Sequence, residues 1–215
     1  MAAISLSMRG FAEVACAAPS RKLTTLKRFR APKSGESVGR SNYYVKALSL
    51  IKRHHKGESI YVTSKTQALL TEAAAETNPR KRTQLLSNHR AITDYLKHFG
   101  SRTLTIKPSK RLYYVFGNLV ISAQPDLVAE EGNTLVLIKL NLGKKEFRGG
   151  VCATLLHVLY QAARDRGLQI APTSVECLQT SSGTRTSGPK SGFPSKQSLN
   201  AQCQQILALC GDPNP

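Results

Sequence analysis

At 215 residues the chain has the length of one ordinary domain with tails. It is 40% hydrophobic, lacks tryptophan, and holds no apolar run long enough to cross a membrane, which excludes an integral membrane protein as the expectation. The net charge of +18 lies almost wholly in the first half, with 12 Lys/Arg against 3 Asp/Glu over residues 1–58 and 10 against 3 over 59–115, while 116–180 balance at 6 and 6. A basic half predicts a polyanionic partner, nucleic acid ahead of an anionic membrane surface, where the plainer role of such charge is solubility.

The first twenty residues, MAAISLSMRGFAEVACAAPS, are apolar, but Arg9 and Glu13 interrupt the run that a signal peptide would need. The stretch to about residue 40 is poor in acids and rich in Ser, Thr, Lys and Arg. That composition belongs to disordered basic leaders and also to organelle transit peptides. The sequence thus predicts a flexible basic arm over 1–42 in a cytoplasmic protein, with a transit peptide as the alternative. Residues 43–79 read as a helical lead-in: NYYVKALSLIKRHH forms a short amphipathic helix with a basic end, and TQALLTEAAAETN has high helix propensity up to Pro79.

The stretch RKRTQLLSNHRAITDYLKHFG predicts a clear helix, because Leu85, Leu86, Ile92, Leu96 and Phe99 recur at helical spacing and Gly100 supplies a stop. Its other face carries Arg80, Lys81, Arg90 and Lys97. Strands come next. RTLTIKP alternates; RLYYVFGNLVISAQ holds Gly117-Asn118 between two β-rich runs, a two-residue hairpin signal; NTLVLIKLNL is reached through Gly132-Asn133. FRGGVCATLLHVLYQAARDRG is a second helix, and PTSVECLQT a last short strand. Residues 181–198 have linker composition, and 199–215 form a short helix or tail. The fold class is α/β (α+β), a mixed sheet with helices packed on it.

The five cysteines, at 16, 152, 177, 203 and 210, include no C-x-x-C pair and are odd in number. Cys152 and Cys177 read as small buried hydrophobes in a reducing compartment. His54-His55 extend the basic patch of Lys52, Arg53 and Lys56, or ligate a metal; Tyr113, Tyr114 and Phe116 are cross-strand core residues, or stack on bases.

One polar pair stands out. Strand parity places Val136, Ile138, Leu140 and Leu142 on one face, and Leu135, Leu137, Lys139 and Asn141 on the other. If the preceding strand runs unbroken through Pro125, then Val120, Ser122, Gln124 and Asp126 share a face, and Asp126 meets Lys139 across a hairpin. Such a pair is either a structural ion pair or the carboxylate and lysine of a phosphodiester-cleaving site.

With QPDL ending one strand and LVLIKLN forming the next, residues 80–180 resemble the PD-(D/E)xK nuclease superfamily, nearest in style to its RecB-like branch. The resemblance implies a restriction-endonuclease-like αβββαβ core, with Asp126 as the Mg²⁺ ligand and Lys139 as the catalytic lysine. The chain departs from the pattern at Leu137, where the family has an acid, and at Leu156, where the branch has the glutamine of Gln-x-x-x-Tyr; Tyr160 remains. Glu130, Glu131 or Glu146 is the candidate replacement acid, and His89 and Asp94 are further approaches from the first helix. The resemblance and its departures together imply a nuclease-like protein with weak or lost cleavage. It would bind nucleic acid, DNA more than RNA, through Arg80, Lys81, Arg82, Arg90, Lys52 and Arg53. The alternatives are an active Mg²⁺-dependent nuclease with a relocated acid, and a non-catalytic interaction protein whose Asp126–Lys139 pair is structural.

Overall fold

The structure, a computed structural model, describes residues 4–30 and 43–211. In chain order its elements are β1 (Ile4–Ser7), α1 (Met8–Ala15), α2 (Pro19–Arg30), α3 (Val45–His54), α4 (Ser59–Ala75) and α5 (Pro79–Phe99). Four strands come after these, β2 (Leu104–Ile106), β3 (Tyr113–Phe116), β4 (Leu119–Ser122) and β5 (Leu127–Glu131). The chain ends with β6 (Thr134–Asn141), α6 (Gly149–Asp165), β7 (Val175–Gln179), β8 (Thr184–Ser187) and α7 (Lys196–Leu209).

The main sheet has the order β2-β5-β6-β7-β8. Its β2/β5, β5/β6 and β7/β8 pairs are antiparallel, and β6/β7 is parallel. Parallel neighbours need a crossover, and α6 supplies it. Period-two alternation gives each face of this sheet its own apolar layer. Val136, Ile138 and Leu140 join Leu127, Leu178 and the helices α3–α5 in one core. Leu137, Val175 and Cys177 join α1, α6, α7 and a second, small sheet in the other.

The small sheet, β1-β4-β3, is built on the β3–β4 hairpin, whose Gly117 takes φ +55 as a two-residue turn requires. The hairpin therefore leaves the main sheet altogether. The predicted unbroken strand through Pro125 does not exist: β4 and β5 belong to different sheets, and residues 123–126 cross between them.

The arm predicted over 1–42 is folded from residue 4 to residue 30. β1 pairs in parallel with β4, Ile4 opposite Leu119, and Phe11, Ala12 and Val14 of α1 are fully buried. The two charges that break the apolar run, Arg9 and Glu13, are four residues apart on the helix and pair at 2.8 Å; Arg28 of α2 joins them on Glu13. Charge interruption is thus the polar face of an amphipathic helix. The remainder of that predicted arm, 1–3 and 31–42, lies outside the described residues.

The predicted linker at 181–198 instead holds β8, a fifth strand of the main sheet. The last helix is docked, with Leu199, Cys203, Ile206 and Leu207 buried. Two ion pairs explain the exposed sequence of β8: Arg185 reaches Glu176 at 2.5 Å and Glu131 at 4.0 Å. Among the described residues no helix is long and apolar enough to cross a membrane.

Candidate functional site

Asp126 and Lys139 do meet, by a route other than an unbroken strand. The Asp126 N–H donates to the Ile138 carbonyl at 2.9 Å, which anchors the residue just before β5 to β6. The β5–β6 register begins with Leu127 opposite Ile138, and the Asp126 side chain reaches the next residue of β6, Lys139. Lys139 Nζ lies 3.1 Å from Asp126 Oδ1 and 3.0 Å from Oδ2, and Oδ2 also accepts the Leu140 N–H at 2.8 Å. Both side chains are about four-fifths buried, at 21% exposure each. The lysine has one further acceptor, the Gln124 carbonyl at 3.5 Å.

The pair lies on the face of the sheet covered by α6. Across the parallel β6/β7 register Lys139 stands beside Cys177, and Asn141 beside Gln179. The Cys177 thiol is pushed far up by its hydrogen bond with Cys152 and by burial, so it stays neutral and leaves Asp126 as the counter-ion of Lys139. Asn141 and Gln179 tie down the β6–α6 connection: Asn141 Nδ2 donates to the Lys145 carbonyl at 2.9 Å, and the Phe147 N–H donates to Gln179 Oε1 at 2.7 Å.

Leu137, at the position where the resemblance needs an acid, is fully buried in the apolar layer under α6. The candidate replacements divide. Glu131 has the parity of Leu127 and Ala129, hence the other face, where it pairs with Arg102 at 2.7 Å. Glu130 shares the face of Asp126 but lies four residues along the strand, roughly 13 Å away, and pairs with Lys107 at 2.8 Å. Neither reaches the site, because a hairpin register fixes both face and distance. Glu146 is exposed in the connection held at the Asn141 end of β6. Among the described residues no three His, Cys, Asp or Glu come together as a metal-holding group. Asp126 brings a carboxylate whose two oxygens already accept protein hydrogen bonds. That donor set does not fit a six-coordinate Mg²⁺.

The other predicted residues scatter. Arg90 reaches the site end of the sheet from the opposite face, donating to the Leu142 carbonyl at 3.0 Å with Asp94 3.6 Å from its Nε. Arg80, Lys81 and Arg82 are exposed at the start of α5, where Asn78 caps the backbone N–H of Arg80 and Lys81. Lys52 and Arg53 belong near the far end of that helix, since His54 bonds the Gly100 carbonyl at 2.8 Å. At about 1.5 Å per residue α5 separates the two groups by roughly 30 Å, so they are not one patch. Arg53 is paired with Glu58 and covers the Tyr61 ring at 4.5 Å. His89 is half-buried on α5. His55 accepts from or donates to the Tyr95 hydroxyl at 2.8 Å, so it is a packed histidine. Tyr160 rests on Phe193, 5.0 Å between centroids. Tyr114 is fully buried, in line with a core role, and Tyr113 is exposed.

Two features are not evident from the sequence. Lys144, Lys145 and Arg148 are exposed in the β6–α6 connection, so the site end is more basic than α5 alone suggests. On the opposite face, Arg102 bridges Glu131 and Glu176 at 2.7 and 2.9 Å, with Glu176 only 1% exposed. The signal for that network was a glutamate inside the apolar run VECLQ.

No protein-family model matches this chain, and no curated protein sequence matches it. What the arrangement does is therefore read from these residues.

Proposed function

We propose that the protein is a nuclease-like nucleic-acid-binding protein of PD-(D/E)xK type, in which the frame of the cleavage site persists and phosphodiester cleavage is weak or lost. The observation that carries this reading is the Asp126–Lys139 pair, formed between the residue just before β5 and one on β6, with Leu137 two positions before the lysine where the motif has its second acid. The element order supports it. α5, β2, β5, β6, α6 and β7 run as αβββαβ, with the β3–β4 hairpin inserted between β2 and β5. The charge supports a polyanion: Lys144, Lys145 and Arg148 surround the N-terminal end of α6, near the pair, on a chain of net charge +18.

With one carboxylate, already engaged by the protein, the site lacks the hard-oxygen cage that would activate water beside a phosphate. Lys139 can still neutralise a phosphate oxygen, which binds without cutting. A second reading keeps catalysis by adding Glu146, whose connection is anchored at the right end of β6.

Incubation of the full chain with plasmid and single-stranded DNA, in Mg²⁺, Mn²⁺ or chelator, separates the two. Retarded but uncut DNA is the expected result. Metal-dependent cutting that Asp126→Ala, Lys139→Ala and Glu146→Ala each abolish establishes the second reading. DNA binding with a flat response to salt overturns nucleic acid as the partner, because released counterions must steepen it.

A further inference from the structure

On the same face of the sheet as Asp126 and Lys139 there is a cleft of about 420 Å³. Its floor is aliphatic: Val128, Leu135 and Leu168 are half-buried there, and the buried Leu112 and Leu137 close it from beneath. Leu137 is two positions before Lys139 on one strand face, so the floor begins roughly 7 Å from the pair. The two are further joined by Gln124, whose side chain donates to Ser109 Oγ at 2.6 Å in the 107–112 segment and whose carbonyl faces Lys139. The banks are basic. Lys107 and Lys110 come from the segment after β2, and Arg166 from the C-terminal end of α6. Lys107 is held by Glu130; Lys110 and Arg166 are exposed and make no ion pair among the described residues.

We infer that this cleft receives one unpaired nucleotide of a single strand, its base on the leucine floor and its flanking phosphates on Lys110 and Arg166. The inference rests on the proposed nucleic-acid reading and specifies where and in what form the strand binds. A volume near 420 Å³ admits one nucleoside and not a duplex. Two exposed cations from separate segments of the lining suit the repeated negative charge of a strand's phosphates. A fatty acid has a single charge at one end and would be served by a cation at one end of a channel. The floor offers no hydrogen-bonding side chain, so it holds any base by apolar contact without reading its edge. Leu137, fully buried, has a packing role here: it supports the floor from beneath.

The test is a fluorescence-anisotropy titration of the full chain at about 0.1 M salt. The ligands are a labelled oligothymidylate, an abasic strand with the same phosphates, a duplex of equal length and a fluorescent fatty acid. Burying a base's apolar surface on this floor is worth a factor of roughly 5–30, so the expected order is oligothymidylate tightest, with the abasic strand and duplex each at least ~5-fold weaker. The exposed-site double variant Lys110→Glu/Arg166→Glu is expected to weaken oligothymidylate by ~10-fold or more, while Lys65→Glu on α4 changes it less than about 3-fold. A second readout is 2-aminopurine placed within the strand, whose emission shifts on transfer to the apolar floor in wild type and not in the double variant. Salt-dependent binding that is unchanged by the double variant, or equal for all three nucleic acids, overturns the cleft and leaves the broader reading standing. Loss of all nucleic-acid binding in wild type overturns both. Tight fatty-acid binding that competes with the strand and exceeds it replaces the nucleotide with an amphipathic anion.

Discussion

Replacing Asp126 tests whether the pair at the heart of the site is held as tightly as its geometry says. The carboxylate accepts three contacts, two from Lys139 Nζ at 3.0–3.1 Å and one from the Leu140 N–H at 2.8 Å. In Asp126→Ala the ammonium is left with the Gln124 carbonyl at 3.5 Å, and a strand N–H loses its acceptor. Hydrogen bonds to charged groups contribute about 1.5–3 kcal/mol, and an orphaned buried donor costs about 1–3 kcal/mol. Since each side chain keeps a fifth of its surface in water, the low end applies to the ionic part. The expected loss is ~2–4 kcal/mol in urea unfolding followed by circular dichroism, or roughly 4–16 °C in Tm for a chain of this size. The coupling is isolated by a double-mutant cycle of Asp126→Asn and Lys139→Met, which conserve volume, with ~1–2 kcal/mol expected. A coupling under about 0.5 kcal/mol, the limit of additivity for independent sites, refutes the reasoning. The two groups would then be neighbours in solvent and not a desolvated pair.

Three other substitutions probe the same geometry. Leu137→Asp puts a carboxylate into a fully buried apolar position, so it is expected to cost at least ~2 kcal/mol near pH 7, with part of the loss recovered as the acid protonates at lower pH; Mg²⁺ should raise the Tm of this variant and leave wild type unmoved, and equal shifts in differential scanning fluorimetry count against a restored ligand pair. His55 is pushed down to about 4 by burial first, then by His54 and Arg102. A folded pKa below the unfolded value of about 6.5 means the contribution is complete above that value and lost as pH falls through about 4. For a half-buried ring screened by solvent this is about 1–2 kcal/mol, and His55→Gln, which keeps a partner for Tyr95, should flatten urea stability over that window. Glu176→Gln leaves Arg185 without its buried carboxylate while Arg102 keeps Glu131; a loss of ~2–4 kcal/mol is expected, and a change within ~0.5 kcal/mol would show the network to be solvent-screened.

The site was legible in part for a simple reason. Asp126 and Lys139 flank a hairpin whose first strand is only five residues long and whose turn is Gly132-Asn133, and a short hairpin has almost no freedom in register. Parity along β6 likewise placed Leu137 with Lys139. Glu130 and Glu131 were harder: one residue of difference sends Glu131 to the other face, and the register that decides it comes from the turn and the partner strand together. The basic residues were hardest. A helix face read from sequence says which side chains point outward, and nothing about which other element's charges stand roughly 30 Å away at its far end.

The sequence by itself determined the local elements: the α5 period, the two glycine turns, the apolar runs of β6 and α6, and the helix–strand order from α5 to β7. These arise from backbone geometry and spacing over a few residues. The tertiary structure alone decided that β3 and β4 leave the main sheet, that residues 4–30 close the second core against α6, and that β8 caps the sheet edge. Each of those depends on contacts between segments far apart in the chain, whose stabilisation exists only once both surfaces are buried. The cleft beside Leu137 is of the same kind, since its floor and its two banks come from separate stretches of the chain.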